Sequence, residues 1–238
     1  MKKKQLRSAF RMLFIIAFGF VLLYPIIWMV FASLKTDVEI QSYTAPLIPA
    51  HWLWENYARG WQGFGGITFT KFFSNSFLIT VTATFFTAIS SSVVAYGFAR
   101  IQFKGKKVWF ALMMATMMIP SQVLIIPQYI IFNTLGWVGT FAPLIVPHIF
   151  TNAFFVFLII QFVQGLPIEL DEAAIIDGCN RYSTFPKIIL PLIKPALIST
   201  IVIQFYWKWD EFMGPLLYLN KPEKYNVALA VKAFADAT

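Results

Sequence analysis

Between Lys107 and Glu169 the chain runs for 61 residues without an Asp, Glu, Lys or Arg. Soluble domains average about one charged residue in four. A single helix of that length would reach about 90 Å, so the stretch must hold two bilayer spans, with Pro143 and Pro147 near the turn. Two further gaps, from Arg11 to Lys35 and from Lys71 to Arg100, each exceed the roughly 20 apolar residues that cross a hydrocarbon core. Composition agrees: 58% of residues are hydrophobic and 13% charged, and the mean hydropathy is +0.68. The expected fold is therefore all-α, a polytopic transmembrane helix bundle with five visible spans at 11–34, 72–99, 108–132, 141–164 and 188–209.

The lysine-rich start followed by an apolar run is compatible with a signal peptide. However, the run from Met12 to Leu34 exceeds the usual h-region of about 7–15 residues, and no small-residue cleavage site follows. It reads as a retained first helix. Lys2, Lys3, Lys4, Arg7 and Arg11 precede it, and Arg100, Lys104, Lys106 and Lys107 crowd the second connection. The positive-inside rule then puts the N-terminus and that connection in the cytoplasm. Segments 35–71 and 210–238 become exterior, and 165–187 returns to the cytoplasm, so that 1–238 form one membrane domain.

The net charge of +8 sits at the ends of spans and forms no continuous basic stripe, so no nucleic-acid partner is expected. One cysteine excludes an internal disulfide, and His51 and His148 have no metal-ligand spacing. Neither a metal nor a cofactor is expected. No G-x-x-x-x-G-K-[ST] loop is present to cradle nucleotide phosphates, and no paired carboxylates or activated nucleophile lie in a span. The chain is therefore not read as an enzyme.

The loop at 165–187 holds Glu169, Asp171, Glu172 and Asp177 and is longer than the connection of about two to eight residues that antiparallel helices need. Its sequence spells a short bounded helix. Pro167 suits a first turn, Glu169 and Asp171 complement a helix N-terminus, and Gly178 suits a left-handed stop. Ile168, Glu172, Ile175 and Ile176 fall on one side, with Ala173 and Ala174 between them. Beyond Gly178, Ser183 or Thr184 can cap a second helix leading through Ile188, Leu190 and Pro191 into the membrane. From spacing alone, an amphipathic helix lying on the inner leaflet fits equally well.

Glu172-Ala173-Ala174, three residues, Gly178, nine residues, Ile188, one residue and Leu190-Pro191 resemble the EAA loop of ATP-binding-cassette (ABC) importer permeases. The resemblance extends along the chain to permeases of maltose-type, binding-protein-dependent sugar importers, especially the shorter partner of each pair. Its marks are Tyr24-Pro25, Ser33-Leu34-Lys35, Pro49 to Asn56-Tyr57, Ile119-Pro120, Pro127, Trp209 to Phe212 and Pro215-Leu216. The family commonly has Asn-Asp where this chain has Asp210-Glu211. It also ends in a sixth transmembrane helix, which is expected but absent from this chain.

The resemblance implies an ABC type I importer permease, multi-pass in the plasma (inner) membrane of a prokaryote. It would form half of a carbohydrate pathway and couple through Glu172, Ala173, Ala174, Asp177, Gly178, Ile188, Leu190 and Pro191 to separate ATPase subunits. The implied partners are a second permease in a heterodimer, two cytoplasmic ATPase subunits or a paired ATPase, an extracellular solute-binding protein, a sugar and membrane lipid. Polar candidates for the pathway are Gln122, Gln128, Asn152, Gln204 and Tyr206, with Asn133 and Gln161 further along. Polar residues in spans often only join helices. His148 is expected to pack near the exterior turn. The alternative of an ion-gradient-driven secondary transporter would need ionisable groups at membrane depth, and the first four spans have none.

Overall fold

The computed structural model describes residues 2–42 and 46–237, and it divides into two compact units, 1–66 and 67–238. Residues 43–45 and 238 of the expected exterior segments lie outside the described residues, as do the side chains of Lys2, Lys3 and Lys4. Helices of eight residues or more are α1 (Lys2–Ala32), α2 (Phe69–Arg100), α3 (Lys106–Thr116), α4 (Ser121–Thr134), α5 (Ala153–Gln164), α6 (Glu169–Ile176), α7 (Lys194–Trp209) and α8 (Val227–Ala237). No extended strand occurs among the described residues.

In the first unit, α1 carries an apolar run from Phe10 to Ala32, and most of the large apolar side chains along it are exposed. The carbonyls of its last turn accept from the N–H groups of Ser33, Leu34 and Lys35, and Asn56 holds the chain just beyond the helix. The Asn56 amide donates to Ser33 O at 3.1 Å and to Lys35 O at 2.9 Å, while the Tyr57 and Ser33 hydroxyls stand 2.7 Å apart. Two sequence marks separated by more than twenty residues, Ser33-Leu34-Lys35 and Asn56-Tyr57, thus form one hydrogen-bonded junction.

The second unit is organised around α2, which packs along α5 and α7. One side of α2 is small: Ser76, Thr80, Ala83, Thr84, Thr87, Ala88, Ser91, Ser92 and Ala95 are all buried. Such a surface lets helix backbones approach closely where apolar burial gives little drive because lipid is equally apolar.

Three regions expected as simple helices are broken. In place of one helix at 108–132, α3 and α4 meet at 98°, because Pro120 lacks an N–H and disfavours helical backbone at Ile119. The region at 188–209 bends by 75° between Arg181–Leu192 and α7. Before that bend, Phe185–Ile189 form a π turn in which Leu190 N–H reaches Phe185 O, and Pro186 and Pro191 cannot donate to a regular ladder. The region at 141–164 contains a helical turn at Ala142–Ile145, a 3-10 turn at Val146–Phe150 and then α5. Thr151, with φ of 72°, lies between the last two.

That last break is satisfied by side chains. Thr87 Oγ1 lies 3.1 Å and Gln204 Nε2 3.3 Å from His148 Nδ1. Ser90 donates to His148 O at 3.3 Å, and Ser91 Oγ lies 2.5 Å from Thr151 Oγ1. His148, itself within the 3-10 turn, therefore joins α2 to α7 inside the bundle.

Candidate coupling surface

Helix α6 begins after Pro167 and ends in a fully formed Schellman turn. Gly178 N–H donates to Ile175 O at 3.0 Å and Cys179 N–H to Ala174 O at 2.9 Å, which satisfies carbonyls that the helix end would otherwise orphan. Gly178 takes φ of +81°, a value that residues with a Cβ adopt only at a cost. Asp177 is the C-terminal capping residue. Asn180, not Ser183 or Thr184, caps the next helix: its side-chain oxygen accepts from Ser183 N at 2.8 Å. The extended backbone at Asn180 is the geometry in which an Asn side chain reaches the N3 amide.

One side of α6 is bound to the bundle. Ala174 is 1% exposed, and a larger side chain there would meet neighbouring atoms. Arg100, the last residue of α2, reaches across with its Nε 3.0 Å from Asp171 Oδ2. Its Nη2 donates to Leu166 O at 2.7 Å. Both charged atoms are shut from solvent and neither finds a directed hydrogen bond elsewhere, so the ion pair itself neutralises them. One turn earlier on α2, the Tyr96 hydroxyl donates to Arg181 O at 3.0 Å, and the Tyr96 and Phe185 ring centroids are 5.1 Å apart. Ile189 and Ile193, fully buried, join Ala95, Tyr96, Val156, Ile159, Ile160 and Val163 in one core. α2 thus grips both arms of the loop.

The other side of α6 is open. Glu172 and Ala173 are exposed, as are Ile175 and, at 85%, Ile176. Tyr182 on the second arm is also exposed. Among the described residues, nothing covers this side of α6, which presents isoleucines flanked by carboxylates.

Residues 88–234, which include this whole arrangement, match the family described as binding-protein-dependent transport system inner membrane component. The chain belongs to that family. The permease is 31% identical over 215 residues to YurM, a probable ABC transporter permease of Bacillus subtilis, covering 90% of this chain and 70% of that protein. It is 31% identical over 235 residues to the trehalose/maltose transport system permease MalG of Thermococcus litoralis, covering 98% and 84%. It is 29% identical over 223 residues to the arabinooligosaccharides transport system permease AraQ of Bacillus subtilis, covering 93% and 78%. Among solved structures, a bacterial ABC transporter for import of the acidic polysaccharide alginate has a chain that superposes with a TM-score of 0.79 at 21% identity, covering 98% of this chain and 81% of that one. That likeness establishes the fold.

As a member of this family, the permease is an inner-membrane, non-catalytic subunit, and ATP hydrolysis belongs to a separate subunit. An importer of this kind also comprises a partner permease and a solute-binding protein. This membership sets aside the gradient-driven alternative.

Of the remaining motif residues in the permease, Ile188 and Leu190 are half-buried and Pro191 is exposed. Among the polar candidates, Gln122, Gln128 and Tyr206 are exposed. Gln204 is 3% exposed and bound to His148. The Asn152 side chain caps α5, its Oδ1 accepting from Phe154 N at 2.9 Å.

Lys208 is a group that sequence reasoning missed. It is 7% exposed, and its Nζ lies 2.5 Å from a Glu211 carboxylate oxygen. The Glu211 that departs from the family pattern therefore neutralises a buried lysine one helical turn away. That i, i+3 spacing was the available signal.

Proposed function

We propose that this permease forms half of a carbohydrate pathway in a heterodimeric ABC importer and that α6 is the element through which ATPase movement reaches the membrane. The observation that carries the reading is the two-sided character of α6. Its Asp171 and Ala174 side is held to α2, while Glu172, Ile175 and Ile176 are exposed. A force applied to the exposed side passes to α2 through the Arg100 pair, and to α7 through Tyr96, Phe185 and the Ile189–Ile193 core. The break at Ile193 lets the second arm and α7 change their angle without unwinding either helix. ATPase closure would then move the loop and α2 together and open the pathway alternately to each side.

On this reading, Glu172, Ala173, Asp177 and Gly178 form the docking surface, Ala174 seats it on the bundle, and Ile188, Leu190 and Pro191 connect it to α7. With the ATPase on this side, the N-terminus is cytoplasmic, and the segments near 35–71 and 210–238 face the solute-binding protein. Gln122, Gln128 and Tyr206 are the pathway candidates, since each is exposed on the chain's own surface. Gln204 and Asn152 serve the internal architecture. A carbohydrate substrate is supported by the relatives, whose names specify trehalose or maltose and arabinooligosaccharides.

Purification of the tagged chain from detergent-solubilised native membranes, with mass spectrometry of what accompanies it, tests the assembly. A different permease and a P-loop ATPase should copurify. A homodimer without an ATPase would overturn the reading. Uptake of labelled mono- and oligosaccharides by cells with and without the chain tests the substrate class.

A further inference from the structure

We propose that the permease binds an anionic phospholipid in the groove between the end of α2, the start of α3 and the end of α5. The groove encloses about 680 Å³, and its lining combines Lys106, Lys107, Gln102 and Gln164 with Phe98, Phe103 and Phe110. The three aromatic rings cluster, Phe98 lying 5.7 Å from Phe103 and 6.0 Å from Phe110 between centroids. Such a lining fits an amphiphile with an acidic head and a hydrocarbon tail.

Charge complementarity points to the acidic head. Arg100 is neutralised by Asp171, but among the described residues no carboxylate lies within ion-pair distance of Lys104, Lys106 or Lys107. No acidic side chain enters the first turn of α3. The Lys106 ammonium is steered by Ile101 O at 3.1 Å, so one cation is fixed at the groove while Lys104 and Lys107 are exposed. Basic pockets between membrane helices are where acidic headgroups lodge.

Continuity with the lipid-facing surface distinguishes a phospholipid from a free phosphate or nucleotide. Val108, Trp109 and Leu112 continue along α3 as exposed apolar side chains. Trp109 follows Lys106 by three residues, and tryptophan beside lysine is the pairing found at membrane interfaces. An acyl chain can therefore leave the aromatic wall of the groove and run directly into the bilayer. This inference depends on residence in the membrane and not on the coupling role of α6.

The test uses the assembled importer in nanodiscs containing equal phosphatidylglycerol and phosphatidylcholine, followed by native mass spectrometry of lipids retained on stepwise delipidation. Phosphatidylglycerol should be retained preferentially. Each basic residue near an anionic surface is worth about fivefold in binding, so the Lys104→Gln/Lys106→Gln/Lys107→Gln variant should lose roughly tenfold or more. Gln164→Trp, which fills the groove without altering charge, should lose retention as well.

Equal retention of both lipids by the unaltered protein would overturn the proposal, whatever the variants do. Loss in the triple variant with full retention in Gln164→Trp would also overturn it, since it would show diffuse attraction to the surface and no groove site. If the lysines instead form carbodiimide cross-links to an ATPase carboxylate and hold no lipid, the cluster is a protein contact and the proposal fails.

Discussion

Arg100 and Asp171 stand 3.0 Å apart at the junction of α2 and α6, with side chains only 10% and 15% exposed. Removing one member of such a pair strands the other charge in a poorly solvated site, a loss of about 3 kcal/mol or more. Arg100→Gln and Asp171→Asn should each lower the thermal unfolding midpoint of the purified importer. Each should also reduce uptake more than ATPase activity, since the two ends of the linkage would then move separately. The exchanged pair, Arg100→Asp with Asp171→Arg, should recover part of both quantities. Uptake and ATP hydrolysis measured together in proteoliposomes check this.

Gly178 offers a graded test. A Cβ added there meets open space, so any effect arises from its φ of +81° and not from collision. Asn tolerates that backbone best among non-glycine residues, and β-branched side chains tolerate it least. Gly178→Asn should retain most uptake, Gly178→Ala less, and Gly178→Val, with strain of about 1–3 kcal/mol, almost none. Membrane insertion should be unchanged in all three by immunoblot. Equal activity across the series would mean that the Schellman turn is not needed.

Gln204 separates structure from pathway. Its amide bridges α7 to His148, and interhelical hydrogen bonds in membrane proteins are worth about 0.6 kcal/mol on average. Gln204→Leu should lower thermal stability slightly while leaving the KM for the transported sugar unchanged. Gln122→Ala or Tyr206→Ala should change that KM without affecting stability.

Lys208 and Glu211 form a pair that is unequal in exposure, at 6% and 33%. Glu211→Gln leaves a buried ammonium without a counter-charge and should destabilise by about 1–3 kcal/mol, less than for a fully buried pair because Glu211 is partly solvated. Adding Lys208→Met to that variant should restore most of the loss. Thermal unfolding of the three proteins in one detergent makes the comparison.

Much of the fold was legible in where charge is missing. The stretch from Lys107 to Glu169 requires membrane helices on length alone, and the Gly178 stop of α6 follows from residue type. What sequence did not disclose was how broken the helices are. Pro120, Pro186 and Pro191 were visible, but whether a proline kinks, breaks or merely rides in a helix depends on neighbours that satisfy the freed carbonyls. His148 illustrates this, because its partners Thr87 and Gln204 lie over fifty residues away in each direction. In the sequence Arg100 is a topology signal, and nothing local reveals its grip on Asp171. Ser183 and Thr184, equally good capping types, stand nearer the apolar run than Asn180, which is the residue that caps.

The most direct test of the account is site-specific cross-linking from α6 to the ATPase in the assembled importer, with Cys179 first replaced by Ser. Ile176→Cys lies on the exposed side of α6 and Ala174→Cys on the buried side. With a thiol-reactive photo-cross-linker such as benzophenone maleimide, which bonds to the introduced cysteine and on illumination inserts into C–H bonds of whatever lies against it, Ile176→Cys should give an adduct whose mass includes the ATPase and whose yield changes with nucleotide, and Ala174→Cys should give none. No ATPase adduct from Ile176→Cys, or equal yields from both positions, would contradict the claim that α6 carries the coupling.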